Sequence, residues 1–351
     1  MNKQEYLQKL SQALSALTEQ EKEAALLFCT EMLEDRMESG MTEEEAVAAM
    51  EDADTLARQL TADVQKSAAP RQETPRPDFT EWQKMQITCP AERLNHIDLQ
   101  AGNMGIKVLL SPDDQVRLTY FTRAQNVYEA KVEGDTLLLR EVKDESRRSL
   151  FHFFVHIGGP KVEITLEVPR DMMANLKAFT KNGGISLQGP QMLMRVEMGT
   201  TNGGLSVSDV QCISLDAHTT NGGMAIANTA TRQQFCFHTT NGGIAARDCQ
   251  SGGDMTLGTT NGGVSVQNLQ AQQALSVSST NGGVKVGGLD AASIRLRTSN
   301  SPISGTVKGP QSLWQIESRT TNGRNSLPAW QEGQKPLSVH TTNSPIHVSF
   351  E

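Results

Sequence analysis

Asp216, His218, Cys236 and His238 are the residues of this chain whose types and spacing could hold a metal ion. Phe235 and Phe237 read as inward-facing positions of a strand, so Cys236 and His238 face outward on the same strand. The same phase one repeat earlier puts Asp216 and His218 in the equivalent slots. Stacked strands would separate these donors by about 4.8 Å across and about 6.8 Å along the strand, within reach of a shared ion. A flat strand face rarely converges four ligands tetrahedrally, however, and coincidental surface residues are the simpler account of the set. No metal and no cofactor are expected. The other histidines, His96, His152, His156, His340 and His347, have no ligand spacing. No nucleophile has a base at motif spacing, and no glycine loop opens a helix to receive phosphate.

The chain must position these residues by a repeat. Asparagines stand at Asn182, Asn202, Asn221, Asn241, Asn261, Asn281, Asn300, Asn322 and Asn343, with spacings of 20, 19, 20, 20, 20, 19, 22 and 21 residues. Most lie in T-T-N-G-G, and the last drift to S-N-S-P, T-N-G-R and T-N-S-P. Apolar residues precede each asparagine by six and four positions, as in Val196 and Met198 or Met255 and Leu257. Others follow by three and five, as in Leu205 and Val207 or Val264 and Val266. That alternation gives two strands per repeat. Asn-Gly between apolar runs also suits a hairpin meander, the rival architecture. The near-constant period favours stacking, in which identical amides and hydroxyls can bond from coil to coil as in cross-β ladders. The ladder is expected to be structural, with each amide in a tight turn that tolerates positive φ and bonds its own backbone.

The fold expected is mainly β: a parallel β-solenoid of about nine 20-residue coils over 176–351. Alternating segments separated by turn residues predict an antiparallel β cap over 81–175. Residues 64–80, with A-A-P-R-Q-E-T-P-R-P-D, read as a proline-rich linker. Helical spacing across 1–63 predicts a small three-helix domain, with helices near 5–16, 19–38 and 43–62. Capping boxes at Thr18 with Glu21 and at Thr42 with Glu45 start the second and third of these.

Charge and composition narrow the function. The net charge is −8, and residues 1–69 hold 15 acidic against 6 basic side chains, so the helical part carries −9 and the rest about +1. Nucleic acid is not expected as a partner for such a chain, because neither part reads as supplying a basic patch for phosphates. Acids of the helical part, Glu31, Glu34, Asp35 and Glu38 among them, could dock a partner or be only a solvated face. No run is long enough for an integral membrane segment, and five cysteines without paired spacing suit a reducing compartment, so the expectation is cytoplasmic, with non-classical export to the cell surface as the alternative. The turns offer Asn-Gly-Gly where calcium-binding β-rolls need Asp. The outward positions of the second strand (Ser186, Ser206, Ala225, Ala245, Ser265, Lys285, Ser304) are mostly small, which argues for a flat binding face and against a catalytic cleft.

Two resemblances add to this reading. M-N-K-Q-E-Y-L-Q-K-L, L-T-E-Q-E-K, S-G-M-T-E-E-E-A-V-A-A-M and L-A-R-Q-L resemble the bacterial HAAS signalling domain, with departures at Thr18, where a proline is usual, and at Met50-Glu51, where Leu-Gly is usual. That resemblance implies a cytoplasmic signalling domain and a partner such as a PadR-like regulator or a membrane signalling protein. The T-N-G-G repeat, with V-E-I-T-L-E-V-P and L-K-A-F-T-K-N-G-G-I-S-L before it, resembles the bacterial "putative adhesin" family of unknown function, linked with cell-envelope stress. Together they imply a non-catalytic signalling or scaffold protein. A cell-surface adhesin or glycan binder is the alternative, and self-association through the flat face is open.

Overall fold

The computed structural model describes residues 2–15, 17–19, 22–23, 25–26, 29–30, 33, 37, 42–58, 61, 83–122, 128–142, 163–190 and 192–351. It divides into two compact units, one holding the N-terminal helices and the other the strands. The linker read at 64–80, the capping residue Glu21 and the segment containing His152 and His156 lie outside the described residues.

In the helical unit, α1 (Lys3–Ala13) starts at Asn2. Its side chain accepts from the Glu5 amide at 2.8 Å while Glu5 reaches back to the Asn2 amide, a capping box that the sequence reading did not include. Described residues between 19 and 37 are helical. Then α2 (Glu43–Ala48) is capped by Thr42 with Glu45. The helix predicted over 43–62 is interrupted. The backbone turns at 49–52 and residues 53–58 form a separate helical stretch. Asp52 causes the restart, because its carboxylate accepts from the Asp54 amide at 3.1 Å and its carbonyl from the Leu56 amide at 2.9 Å. Lys9 pairs with Asp52 and Asp54, and the Tyr6 hydroxyl donates to the Glu51 carbonyl, so α1 holds that turn in place. The buried set, including Tyr6, Leu10, Leu14, Cys29, Leu33, Val47 and Leu56, is a core of its own.

The strands form one continuous sheet wound into stacked coils. Val196 and Met198 pair in parallel register with Leu176 and Ala178 on one side and Leu215 and Ala217 on the other; Leu205 and Val207 pair likewise with Ile185 and Leu187 and with Met224 and Ile226. All of these are buried. Where one coil inserts the bulky pair Phe235 and Phe237, the adjoining rung carries Ala217 and the coil's own second strand carries Ala246. The interior volume is thereby balanced between neighbours.

The antiparallel cap predicted over 81–175 is only partly antiparallel. Along this stretch run β1 (Gln83–Pro90), β2 (His96–Gln100), β3 (Gly105–Leu110), β4 (Gln115–Thr122), β5 (Tyr128–Glu133), β6 (Thr136–Glu141) and β7 (Glu163–Val168). β2 and β3 pair in parallel with Asn175–Thr180 and Ile185–Gln188, so they are a further coil. β6 and β7 pair in parallel on the far side of that coil and form another. The antiparallel strands sit outside them: β5 on β6, β4 on β7 and β1 on β4. Terminal coils would otherwise expose unpaired N–H and C=O groups to association, and these strands cover them. The opposite end has a smaller cover, Trp330–Gln331, antiparallel on Trp314–Arg319.

Stacking order departs from chain order at both ends. The coil of β6 and β7 follows that of β2 and β3 in the chain yet lies outside it. At the other end Lys335–His340 pairs on one side with Val284–Arg297 and on the other with Trp314–Arg319. The last coil in sequence is therefore the second to last in the stack.

Candidate functional site

The corner after the first strand of each coil concentrates the polar chemistry. Every asparagine amide there donates from Nδ2 to Oδ1 of the asparagine on the adjoining coil: Asn202 to Asn182 at 2.6 Å, then Asn221 to Asn202, Asn241 to Asn221, Asn261 to Asn241 and Asn281 to Asn261 at 2.7 Å. Asn300 donates to Asn281, Asn343 to Asn300 and Asn322 to Asn343, each at 2.8 Å. The sequence reading missed one member: Asn182 donates to Asn103, in the corner between β2 and β3. All nine bonds run in the same sense, so each amide between the end members Asn103 and Asn322 is polarised by its neighbours as donor and acceptor together.

The backbone at these asparagines differs from the expectation. None has positive φ, and the side chains bond the next coil instead of their own turn. The strain sits at a second corner, seven residues further on, where Asp209, Asn228, Asp248 and Asn268 have φ of 59°, 49°, 54° and 54°. Short polar side chains tolerate this conformation. They also build a second, shorter ladder, with Asn228 donating to Asp209 at 3.1 Å and Asn268 to Asp248 at 2.9 Å. The recurrence of Asp, Asn or Gly seven places after the ladder asparagine was the available signal.

Beneath the exposed amides lies a buried row of hydroxyls. Thr239 is fully buried; its Oγ1 donates to the Gly222 carbonyl at 2.9 Å and accepts from the Gly242 amide at 3.2 Å. Thr200, Thr219, Thr259 and Ser279 repeat the arrangement. The first glycine of the motif is required by approach: a Cβ on Gly222 would overlap the Gly203 carbonyl. The motif therefore reads, in order, as a buried hydroxyl clamp, an outward residue, a ladder amide and a close-contact glycine.

The strand register brings the four metal-type residues together as rung partners, Asp216 with Cys236 and His218 with His238. Among the described residues no group of three or more His, Cys, Asp or Glu side chains is arranged to hold a metal ion. His218 instead leans over Gly199 toward the Phe179 ring, centroid to centroid 5.8 Å. Burial, and secondarily the Asp216 carboxylate, pushes the Cys236 thiol above its ordinary range, which keeps it a poor ligand and a poor nucleophile. All five cysteines are free. Glu31, Glu34, Asp35 and Glu38 lie outside the described residues. On the second strand of the coils Gly204, Ser206, Gly223, Ala225 and Ala245 line a shallow, open depression. No helix among the described residues is long and apolar enough to cross a membrane.

Parallel coils closed by an asparagine ladder, with covered ends, define a β-solenoid. The chain belongs to the Toastrack DUF4097 family, whose model matches residues 94–349, and residues 5–59 match the HAAS family. No curated protein matches the sequence. Among solved structures, one from Bacteroides fragilis described as a "putative adhesin" is similar at 14% identity and a TM-score of 0.40, covering 77% of this chain and 97% of that one. A "putative lipid binding protein" from Parabacteroides distasonis is similar at 12% identity and a TM-score of 0.43, with 77% and 95% covered. A "putative adhesin" from Parabacteroides merdae gives 12% and 0.42, with 77% and 96% covered.

Proposed function

We propose that this protein is a non-catalytic signalling scaffold of a bacterial envelope-stress or regulatory pathway, working in the cytoplasm. Its helical unit docks a regulator of the PadR-like kind or a membrane signalling protein, and its solenoid presents a flat binding surface. The observation that carries this reading is the union in one chain of a HAAS match and a Toastrack repeat. Two further features support it. The ladder amides bond one another, which supports a structural role for them, and the second-strand face is a shallow surface of small residues without convergent acids or bases.

The acidic helical unit should recognise its partner through charge, with Glu31, Glu34, Asp35 and Glu38 contributing. Affinity capture with the full chain, and with a Glu31→Lys, Glu34→Lys, Asp35→Lys, Glu38→Lys variant, tests this. A regulator captured by the natural sequence and lost in the variant supports the assignment. Capture unchanged by the variant, or a surface glycan retained by the solenoid in place of any regulator, overturns it.

A further inference from the structure

The outer face of the first strand changes character toward the C-terminal end of the stack. Each such strand presents two outward side chains, five and three residues before its asparagine. In the first rungs the charges there are paired: Arg140 with Asp98 at 2.6 Å, and Lys177 and Arg195 with Glu197 at 3.2 and 2.6 Å. The next two rungs carry Asp216, His218, Cys236 and His238, and the two after them Thr256, Gly258, Ser276 and Ser278, which are uncharged. In the last three rungs Arg297 pairs in register with His340, and His340 with Arg319, while Arg295 and Glu317 occupy the parallel column.

All of these charged side chains are exposed, and none of the three arginines has an ion-pair partner among the described residues. Three arginines less one glutamate leave +2 on this patch, before any charge on His340, in a chain whose net charge is −8. An exposed indole borders it. Trp330 stands opposite Glu317 in an antiparallel pair, and cross-strand partners project to the same face. Trp330 is 65% exposed, whereas Trp314, on the strand it pairs with, is fully buried.

Geometry decides what such a patch can hold. Rungs about 4.8 Å apart and side chains about 7 Å apart along the strand project in parallel from a flat sheet. Parallel guanidinium groups do not converge on a single small anion. They match an array of anions lying in a plane, and guanidinium binds phosphate oxygens in a bidentate fork. An exposed indole at the rim suits the boundary between headgroups and acyl chains. We propose that this end of the solenoid docks on the surface of a bilayer rich in anionic phospholipid, with Arg295, Arg297, His340 and Arg319 on the headgroup phosphates and Trp330 at the interface. This surface lies on the strand before the asparagine corner, whereas the small-residue depression lies on the strand after it. The inference goes beyond the scaffold role and does not depend on what that depression binds.

The test is sedimentation of the full chain with vesicles of phosphatidylglycerol mixed with phosphatidylcholine, beside vesicles of phosphatidylcholine alone. Binding to the mixed vesicles should be at least tenfold stronger and should fall several-fold as salt rises. Arg297→Glu with Arg319→Glu should reduce it at least tenfold. Arg297→Gln with Arg319→Gln should reduce it less, and serves if the double reversal does not fold. Trp330 should report directly, by a blue shift of fluorescence on vesicle binding that Trp330→Phe removes. Equal binding to both vesicles, no binding to either, or binding unaffected by the arginine variants would overturn the proposal. So would binding to soluble polyphosphate with none to vesicles, which would assign the patch to a free polyanion.

Discussion

The Nδ2 of Asn343 donates to Oδ1 of Asn300 at 2.8 Å, and Asn322, which lies between them in the chain, donates to Asn343 from the outer side. The coil nearest the C-terminus is thus gripped on both faces. In a simple solenoid the terminal coil has one neighbour and frays first. Here residues 335–350 can leave only by breaking the pairings of Ile294 with Leu337 and of Ile316 with Leu337 together.

Removal of residues 335–351 should therefore do more than shorten the rod. It would leave Trp314–Arg319 with no parallel neighbour and expose the Ile294 rung. Limited proteolysis should cut the truncated protein throughout 308–334 while sparing the coils before Arg297. Resistance of 308–334 in the truncated chain would show that the outer coil holds itself, and the clamp would be wrong.

The conspicuous asparagines are not where most of the stability should lie. Asn241→Ala removes two exposed amide bonds, on the order of 1–3 kcal/mol and toward the lower end because water can replace them. Thr239→Val keeps the shape but leaves the Gly222 carbonyl and the Gly242 amide without the hydroxyl they share, at about 1–3 kcal/mol for each group left unsatisfied. Urea unfolding should rank the threonine variant as the more damaged. The reverse order would mean that the outer ladder, not the buried clamp, closes the corner.

The repeat was legible because period and phase are properties of a line of text: T-T-N-G-G, with apolar residues six and four before and three and five after, already implies two strands and a corner. Stacking order is not such a property. The spacings of 22 and 21 near Asn322 and Asn343 show a disturbance, yet nothing in them says that the later coil inserts inside the earlier one. The same limit applies to β2 and β3: their alternation reads as strands, but their place as a parallel coil does not show, because the Gly102-Asn103 corner lies 79 residues from its ladder partner Asn182. The cationic face is absent from the linear text for a related reason. Arg297, Arg319 and His340 are dispersed in the chain and become a column only through the exchange of coils.

Thiol chemistry offers a check on the core. Burial pushes Cys212 up to about 12, and Cys29 and Cys249 to about 11. A raised thiol value means that the neutral form is favoured by the fold, so the associated stability is present below the unfolded value of about 8.5 and is lost as pH rises through 11 to 12. Cys212, Cys249 and Cys29 should resist a thiol reagent at pH 8 until the protein unfolds, while half-buried Cys89 and Cys236 react earlier. Mass spectrometry of peptides from timed labelling would show this order. Early modification of Cys212 or Cys249 would place them at the surface.

The direction of the ladder makes a last prediction. In Asn241→Asp the side chain can still accept from Asn261 Nδ2, but an ionised carboxylate has no proton to give to Asn221 Oδ1 and meets it oxygen to oxygen. A protonated carboxyl can donate there, so the fold favours the acid form and raises its value above the unfolded value of about 3.9. A carboxyl raised in this way contributes its stability below the unfolded value and loses it as pH rises through the folded one. The variant should be weaker than the natural protein at pH 7 and approach it below about pH 4. Acid itself weakens both proteins, because Asp52, held low by its hydrogen bond from Lys9, and Asp113, held low by Arg117, lose their contributions as pH falls. That loss is common to the pair and cancels in the difference between them. Urea unfolding of both proteins from pH 7 to pH 3.5 gives that difference directly. A difference that does not shrink with acid would mean that the donor direction of the ladder at Asn241 is not the one described.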